Sequence, residues 1–283
     1  MINILTVDIE DWYQTSDFNI DVKHWGSYES RIKDNTYKIL GILSKRNIKA
    51  TFFILSCIAR EEPDLINEIV RQGHEIGSHG GFHKKVSIMT PHEFRQDIRE
   101  SKFLLEEITG VKVKYFRAPC WSISNKNIWA LEILEEEGFL CDSSFQTIKM
   151  LFLGEKHLPV KPFKPVINGK KLNITEIPST VFTFPGFTIP FSGGFFLRAI
   201  PCRIIISSLK IVNKTGAGMV YIHPWEFDIN QPRINTGFYA HTLHYLNINK
   251  TMNKFEILLD NFNFVSIGEY LDKNKFPHIS LNT

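Results

Sequence analysis

Hydrophobic positions along the chain switch between short continuous runs and segments with helical spacing. Ile2 to Val7 is a short apolar run that ends in acids, the pattern of a buried strand delivering carboxylates at its C-terminal end. Between Arg31 and Arg46, the residues Ile32, Ile39, Leu40 and Leu43 share one helical face. Ala50 to Leu55 (ATFFIL) reads as the next buried strand and Pro63 to Gln72 as the next helix. His74 to Ser78 reads as a short strand that runs into a histidine pair. Thr90-Pro91-His92-Glu93 is a helix start, with a Thr cap, Pro at the first position and Glu closing a capping box. Phe94, Ile98, Leu105 and Ile108 mark one face of that helix. Val113 to Phe116, Asn125 to Glu137 and Phe139 to Cys141 continue as strand, helix and strand, and Gly218 to Ile222 is a strand ending at His223. Repeated strand–helix units predict an α/β fold with a parallel sheet or barrel and a site at the strands' C-terminal ends. Asp8, His79, Arg117, Asp142 and His223 each fall just after a predicted strand, so they can converge on one mouth.

One stretch departs from the rhythm. Ile177 to Leu197 carries no charge and is long enough to span a bilayer. Pro178, Pro185, Pro190, Gly186, Gly193 and Gly194 break it as a helix, so it reads as a buried or cleft-lining loop. Arg198 to Lys214 reads as a helix packed on the body of the protein, with a membrane-surface helix as the alternative. Over 283 residues the net charge is +3, from 33 basic against 30 acidic side chains, which leaves no electrostatic footprint for nucleic acid. A chain of this size buries about three quarters of its surface on folding and needs no disulfide staples. Cys57, Cys120, Cys141 and Cys202 lack zinc-knuckle spacing and read as reduced, mostly buried thiols. The opening MINILTVDIEDW lacks the basic start of an export signal, so Asn173, Asn213 and Asn249 read as chance sequons and the expected compartment is the cytoplasm.

Five elements carry chemistry. His79-Gly-Gly-Phe-His83 places two histidines four apart just past a strand, where both can reach one metal ion. Asp8-Ile9-Glu10-Asp11 puts three carboxylates in four residues, which repel one another unless a cation compensates; the plainer alternative is a loop that caps the next helix. Tyr115-Phe-Arg-Ala-Pro-Cys-Trp121 holds a lone Arg117 before a Pro-containing turn. Cys141-Asp142-Ser143-Ser144 is the fourth element. Val220-Tyr-Ile-His-Pro-Trp-Glu226, with His223 fixed by Pro224, is the fifth.

Taken in this order the five elements resemble the polysaccharide deacetylases of the NodB-homology, or carbohydrate esterase 4, family. TVDIEDW, SGGFFLR (192–198), HPWEFD (223–228) and HTLHYLN (241–247) resemble its exopolysaccharide-cluster branch, with a D-x-E-D first motif and a C-terminal extension. The resemblance implies a NodB-like distorted (β/α) barrel of about seven parallel strands. It implies one deacetylase domain over 1–283, with a family-specific part from about 150 onward. It also implies a metal-dependent hydrolase removing N-acetyl groups from an amino sugar of a polysaccharide or lipid-linked oligosaccharide. In that reading His79 and His83, with Glu10 or Asp11, hold a divalent metal, zinc first and cobalt, nickel or manganese after it. Asp8 is the general base, Arg117 tethers it, the Cys120 N–H stabilises the oxyanion, His223 is the general acid, and Asp142 orients His223. Side chains two apart on a strand share a face, which favours Glu10, whereas a turn at Ile9 favours Asp11. Trp121, Trp225 and Phe195 are sugar-stacking candidates, with Trp225 foremost because it follows the proposed acid. The glycan partner is joined by peripheral contact with a membrane carrying lipid-linked sugar; oligomeric state is left open. The alternatives are an amidase on a small cyclic amide and an inactive glycan-binding protein.

Overall fold

A computed structural model describes residues 2–146, 158–184, 187–235 and 237–281. Its strands in chain order are β1 (Ile2–Ile9), β2 (Thr51–Ile54), β3 (Glu75–Ser78), β4 (Tyr115–Phe116) and β5 (Cys141–Asp142). They continue as β6 (Lys164–Ile167), β7 (Lys170–Lys171), β8 (Thr175–Glu176), β9 (Val181–Phe184), β10 (Phe187–Pro190), β11 (Met219–Ile222), β12 (Asn263–Val265) and β13 (His278–Leu281). Seven strands lie side by side in the order β11-β1-β2-β3-β4-β5-β8, every pair parallel, and β12 pairs with the start of β1. Helices connect them, and the sheet curls into the distorted (β/α) barrel of the NodB type.

Alternation along the strands explains which way each side chain points. Leu5, Val7 and Ile9 of β1, Phe52 and Ile54 of β2, and Val220 and Ile222 of β11 belong to the large apolar cluster shared with the helices. Ile4, Phe53 and Met219 point the other way, into a second cluster with Cys141, Ile177 and Tyr270 inside the barrel. Thr6 and Asp8 share the inner face with Ile4, so β1 passes from apolar to acidic as it rises to its C-terminal end. β1 is buried along almost its whole length because three strands flank it.

The expected elements recur with small shifts. The first helix runs Ile32–Ser44 and the third Pro63–Arg71. Thr90 and Glu93 close the predicted capping box at the start of Pro91–Thr109. Asn125–Glu137 is a 3₁₀ turn followed by the helix Trp129–Glu136, and the strand expected at 139–141 falls at Cys141–Asp142. The uncharged stretch is not a loop: β9 and β10 form an antiparallel hairpin, and Gly194–Ala199 is a helix. Pro201 separates it from the helix Cys202–Val212, so Arg198 to Lys214 is two helices rather than one. Among the described residues no helix is long and apolar enough to cross a membrane, and the four thiols are free.

Candidate active site

β1 delivers Asp8 to the inner face, and Arg117 meets it from the end of β4. Asp8 and Arg117 are both buried, and the guanidinium Nη1 donates to Asp8 Oδ1 at 2.6 Å. Its other N–H groups are equally occupied. Nη1 also donates to Thr6 Oγ1 (2.8 Å), Nε to the Ser143 carbonyl (3.1 Å), and Nη2 to Ser143 Oγ (3.0 Å) and the Met219 sulfur (3.1 Å). Phe53 and Trp121 cover its faces at 4.3 and 4.6 Å. All five donors of a buried arginine are thus used, which holds Asp8 in a single orientation.

The loop His79-Gly80-Gly81-Phe82-His83 leaves the end of β3. Asp97, on the helix Pro91–Thr109, accepts from the Gly81 N–H at 3.1 Å. A Cβ on Gly81 would sit 2.7 Å from that carboxylate oxygen, so a side chain there would have to displace Asp97 from the loop. His79 donates Nδ1–H to the Arg117 carbonyl (2.7 Å), which leaves Nε2 as the lone-pair atom. Burial pushes His79 down to about 4, so its imidazole is neutral at pH 7. His83 Nε2 lies 2.7 Å from Glu10 Oε2. Ligand atoms of Glu10, His79 and His83 fall within 4.8 Å of one another, a two-histidine, one-carboxylate donor set. Burial alone would raise Glu10; the His83 and His223 imidazoles outweigh it and hold the carboxyl well below its usual range.

Asp11 goes elsewhere. Its carboxylate accepts from the backbone N–H of Trp12, Arg31 and Ile32 and from Ser30 Oγ, at 2.8–3.2 Å. It therefore caps the entry to the helix Ile32–Ser44 and does not join the histidines. Of the two open candidates, the fold brings Glu10 to them.

His223 follows β11 and reaches back over β1. Its Nε2 lies 3.4 Å from Glu10 Oε1 and 3.8 Å from Asp8 Oδ2. Its Nδ1 bonds Glu226 Oε2 at 2.9 Å, not Asp142. Burial opposes the imidazolium, but Glu226, Glu10 and Asp8 outweigh it and push His223 up to about 9. Asp142 instead accepts from Ser144 Oγ (2.5 Å) and shares a hydrogen bond with Glu176, burial pushing both carboxyls up. Ser144 Oγ in turn accepts from the Ala118 N–H at 2.8 Å. Asp142 thus braces the turn that carries Cys120 rather than the imidazole, and the orienting role that the resemblance implied for it is not what its contacts support. The spacing His223-Pro-Trp-Glu226 was the available signal for Glu226: proline at the first and glutamate at the third position of a turn reach back to the residue before it. Glu226 does so, accepting the His223 N–H at 3.0 Å.

Cys120 and Trp121 both adopt left-handed backbone, at φ 56° and 54°. Such conformations cost about 1–3 kcal/mol each and persist where the surroundings impose them. They line a cleft of about 250 Å³ with Asp8, Glu10, His79, His83, His223 and Phe195. Trp121 and Phe195 are half-buried on its walls. Trp225 also lines the cleft but is only 4 % exposed, stacked with His223 at 5.5 Å and His244 at 4.2 Å and with the Arg198 guanidinium 4.9 Å from its ring, which leaves little of it open to a sugar. Its indole N–H donates to Glu10 Oε1 at 3.3 Å, so it buttresses the carboxylate instead.

Comparison with known proteins meets this geometry from outside. Residues 21–137 match the family model described as polysaccharide deacetylase, and residues 143–272 match a domain of unknown function, DUF3473. A peptidoglycan-N-acetylglucosamine deacetylase of Bacillus cereus is 35 % identical over 98 residues, 34 % of this chain and 36 % of that one. The chain spans about a third of the length of the first curated relatives it matches. A crystal structure described as a polysaccharide deacetylase of Mycobacterium smegmatis superposes with a TM-score of 0.61 at 17 % identity, covering 96 % of this chain and 89 % of that one. A carbohydrate esterase 4 pseudoenzyme of Bacillus anthracis superposes at 0.52 and 16 % identity, covering 98 % and 69 %. At such identities these two establish the fold alone.

Proposed function

The chain belongs to the polysaccharide deacetylase family, and from that premise we propose that it is a metal-dependent hydrolase removing N-acetyl groups from an amino sugar of a polysaccharide or lipid-linked oligosaccharide. The observation that carries this reading is the convergence of three groups in one cleft: the Asp8–Arg117 pair, the donor set Glu10, His79 and His83, and His223. The donor set suits a divalent ion, zinc first: two imidazoles, one of them kept neutral and turned by a backbone carbonyl, and one carboxylate leave positions open. When bound, such an ion polarises the amide carbonyl and makes a water molecule acidic near neutral pH.

The chain's own residues do the rest. Asp8, held by Arg117, takes one proton from the attacking water while the remaining hydroxyl adds to the carbonyl carbon. The backbone N–H of Cys120 serves the oxyanion, its turn braced by Asp142, Ser144 and Glu176. His223 gives its Nε2 proton to the departing nitrogen as the C–N bond breaks, so the products are acetate and the free amino sugar. An amine cannot leave as an anion, which is why the site needs that donor. Trp121 and Phe195 offer the apolar walls against which a pyranose ring can rest.

Purified protein is expected to release acetate from N-acetylated oligosaccharides, free or lipid-linked, and to lose at least about a hundredfold in rate on chelation or in His79→Ala. Acetate release indifferent to both changes would overturn the metal-dependent reading. Comparing free with lipid-linked oligosaccharide in the same assay separates the two substrate sources.

A further inference from the structure

The C-terminal region contains a second buried ion pair, directly behind His223. Arg198 is 2 % exposed and Glu226 fully buried, with Arg198 Nε donating to Glu226 Oε1 at 2.8 Å. The other arginine nitrogens bind the end of the helix Phe238–Tyr245: Nη1 donates to the carbonyls of His244 (2.5 Å) and Leu246 (3.3 Å), and Nη2 to that of Leu243 (2.8 Å). A guanidinium at a helix C-terminus is favourable on its own account, so the anchor is well founded. Glu226 spends its second oxygen on His223, accepting from both the backbone N–H and Nδ1. Trp225 fills the space between, stacked on His223 and on His244, while Asp17 and Gln231 bond the two nitrogens of His244.

A buried ion pair of this kind is costly to assemble and gains little in stability over an apolar equivalent, so its presence behind a catalytic imidazole asks for a chemical reason. One is at hand. An imidazole that donates a proton through Nε2 must keep Nδ1–H pointed at a fixed acceptor, or the ring turns and the proton misses the leaving nitrogen. Asp142 is committed to Ser144 and Glu176 and does not supply that acceptor. Glu226 does, and Arg198 prevents Glu226 from rotating away.

We propose that Arg198 and Glu226 are a positioning pair that orients His223 as proton donor, and that supplying this pair and its buttress is what the region matching DUF3473 contributes to the reaction. Three blocks far apart in the sequence, 192–198, 223–228 and 241–247, thereby meet around one imidazole. The inference rests on the deacetylase reading above, in which His223 protonates the departing amine.

The test separates leaving groups. Glu226→Gln and Arg198→Lys are compared with the unaltered protein on an N-acetylated oligosaccharide, whose amine must be protonated, and on 4-nitrophenyl acetate, whose phenolate leaves unaided. Glu226→Gln is expected to lower kcat on the amide by about 30-fold or more with KM within about twofold, and to change aryl acetate turnover by less than about threefold. Arg198→Lys is expected to show the same selectivity at about fivefold. An equal fall on both substrates, or no fall on the amide, would overturn the proposal. A second readout needs no turnover: proton NMR should show a downfield, slowly exchanging imidazole N–H that disappears in both His223→Ala and Glu226→Gln. Absence of that signal from the unaltered protein would contradict the pairing. Its presence in a protein that releases no acetate would sustain the pairing and refute the deacetylase reading instead.

Discussion

Asp8, Glu10 and Asp11 lie within four residues yet have three different surroundings. Asp8 faces an arginine whose every donor is spent, Glu10 faces two histidines, and Asp11 faces backbone N–H groups at a helix entry. Their fates therefore separate under substitution. Glu10→Gln should lose bound metal, because an amide is a poor ligand for zinc. Asp11→Asn should keep the metal and lose about 1–2 kcal/mol of stability with its cap. Elemental analysis and thermal unfolding check both, and loss of metal in Asp11→Asn alone would reverse the assignment. A second residue makes the fold less stable in acid. His74 is buried, accepts the Ala50 N–H at its Nδ1, and is pushed down to about 4 by that burial. The unfolded chain takes up this proton near pH 6.5 and the folded chain only near 4, so the cost is absent above 6.5 and grows as the pH falls through that window. Between pH 7 and 5 the unaltered protein should lose about 1 kcal/mol more than His74→Gln, allowing for partial screening. Equal losses in denaturant titrations would exclude His74 as the origin.

At the scale of elements, the site depends on how close the segment 192–194 lies to β11. Tyr221 donates its N–H to the Ser192 carbonyl at 3.2 Å, and Gly193 lies flat on the Tyr221 ring. A Cβ at Gly193 would come within 2.2 Å of that ring. Gly193→Ala should therefore cost about 1–3 kcal/mol and, by displacing Tyr221 two residues before His223, reduce turnover as well. Unchanged unfolding and activity would show that the contact is slack. This contact also shows what sequence pattern reveals and what it does not. Strands such as 2–9, 51–54 and 219–222 were legible because continuous apolar runs end at polar residues, and Asp8, His79, Arg117 and His223 could be read off those ends. The hairpin of β9 and β10 was hidden because a stretch without charge has no polar face to reveal its period. Arg198 was hidden for a different reason: its meaning lies in contacts across 28 residues and with a third segment, which only the fold supplies, whereas Glu226 left a local signal in its spacing from His223. The near-complete burial of Trp225 was hidden because adjacency to His223 says nothing about what packs on its ring.

Over the whole molecule, the two halves of the chain build one site. β11, from the half that matches a domain of unknown function, lies against β1, from the half that delivers Asp8 and Glu10. In the proposed reaction the donor set and the base would come from residues before 118, and the proton donor with Arg198 and Glu226 from residues after 197. Neither half alone holds all the groups that the proposed amide hydrolysis would use. Arg117 and Met219 pack against each other beneath the cleft and close its floor, which keeps the polar groups of the site at the mouth. The most direct test is to strip the protein of metal, add back zinc in steps, and follow acetate release from an N-acetylated oligosaccharide. Activity should be absent at first and rise in proportion to added zinc until one equivalent per chain is bound. Full activity in the stripped protein, or none at one equivalent of bound zinc, would contradict the account.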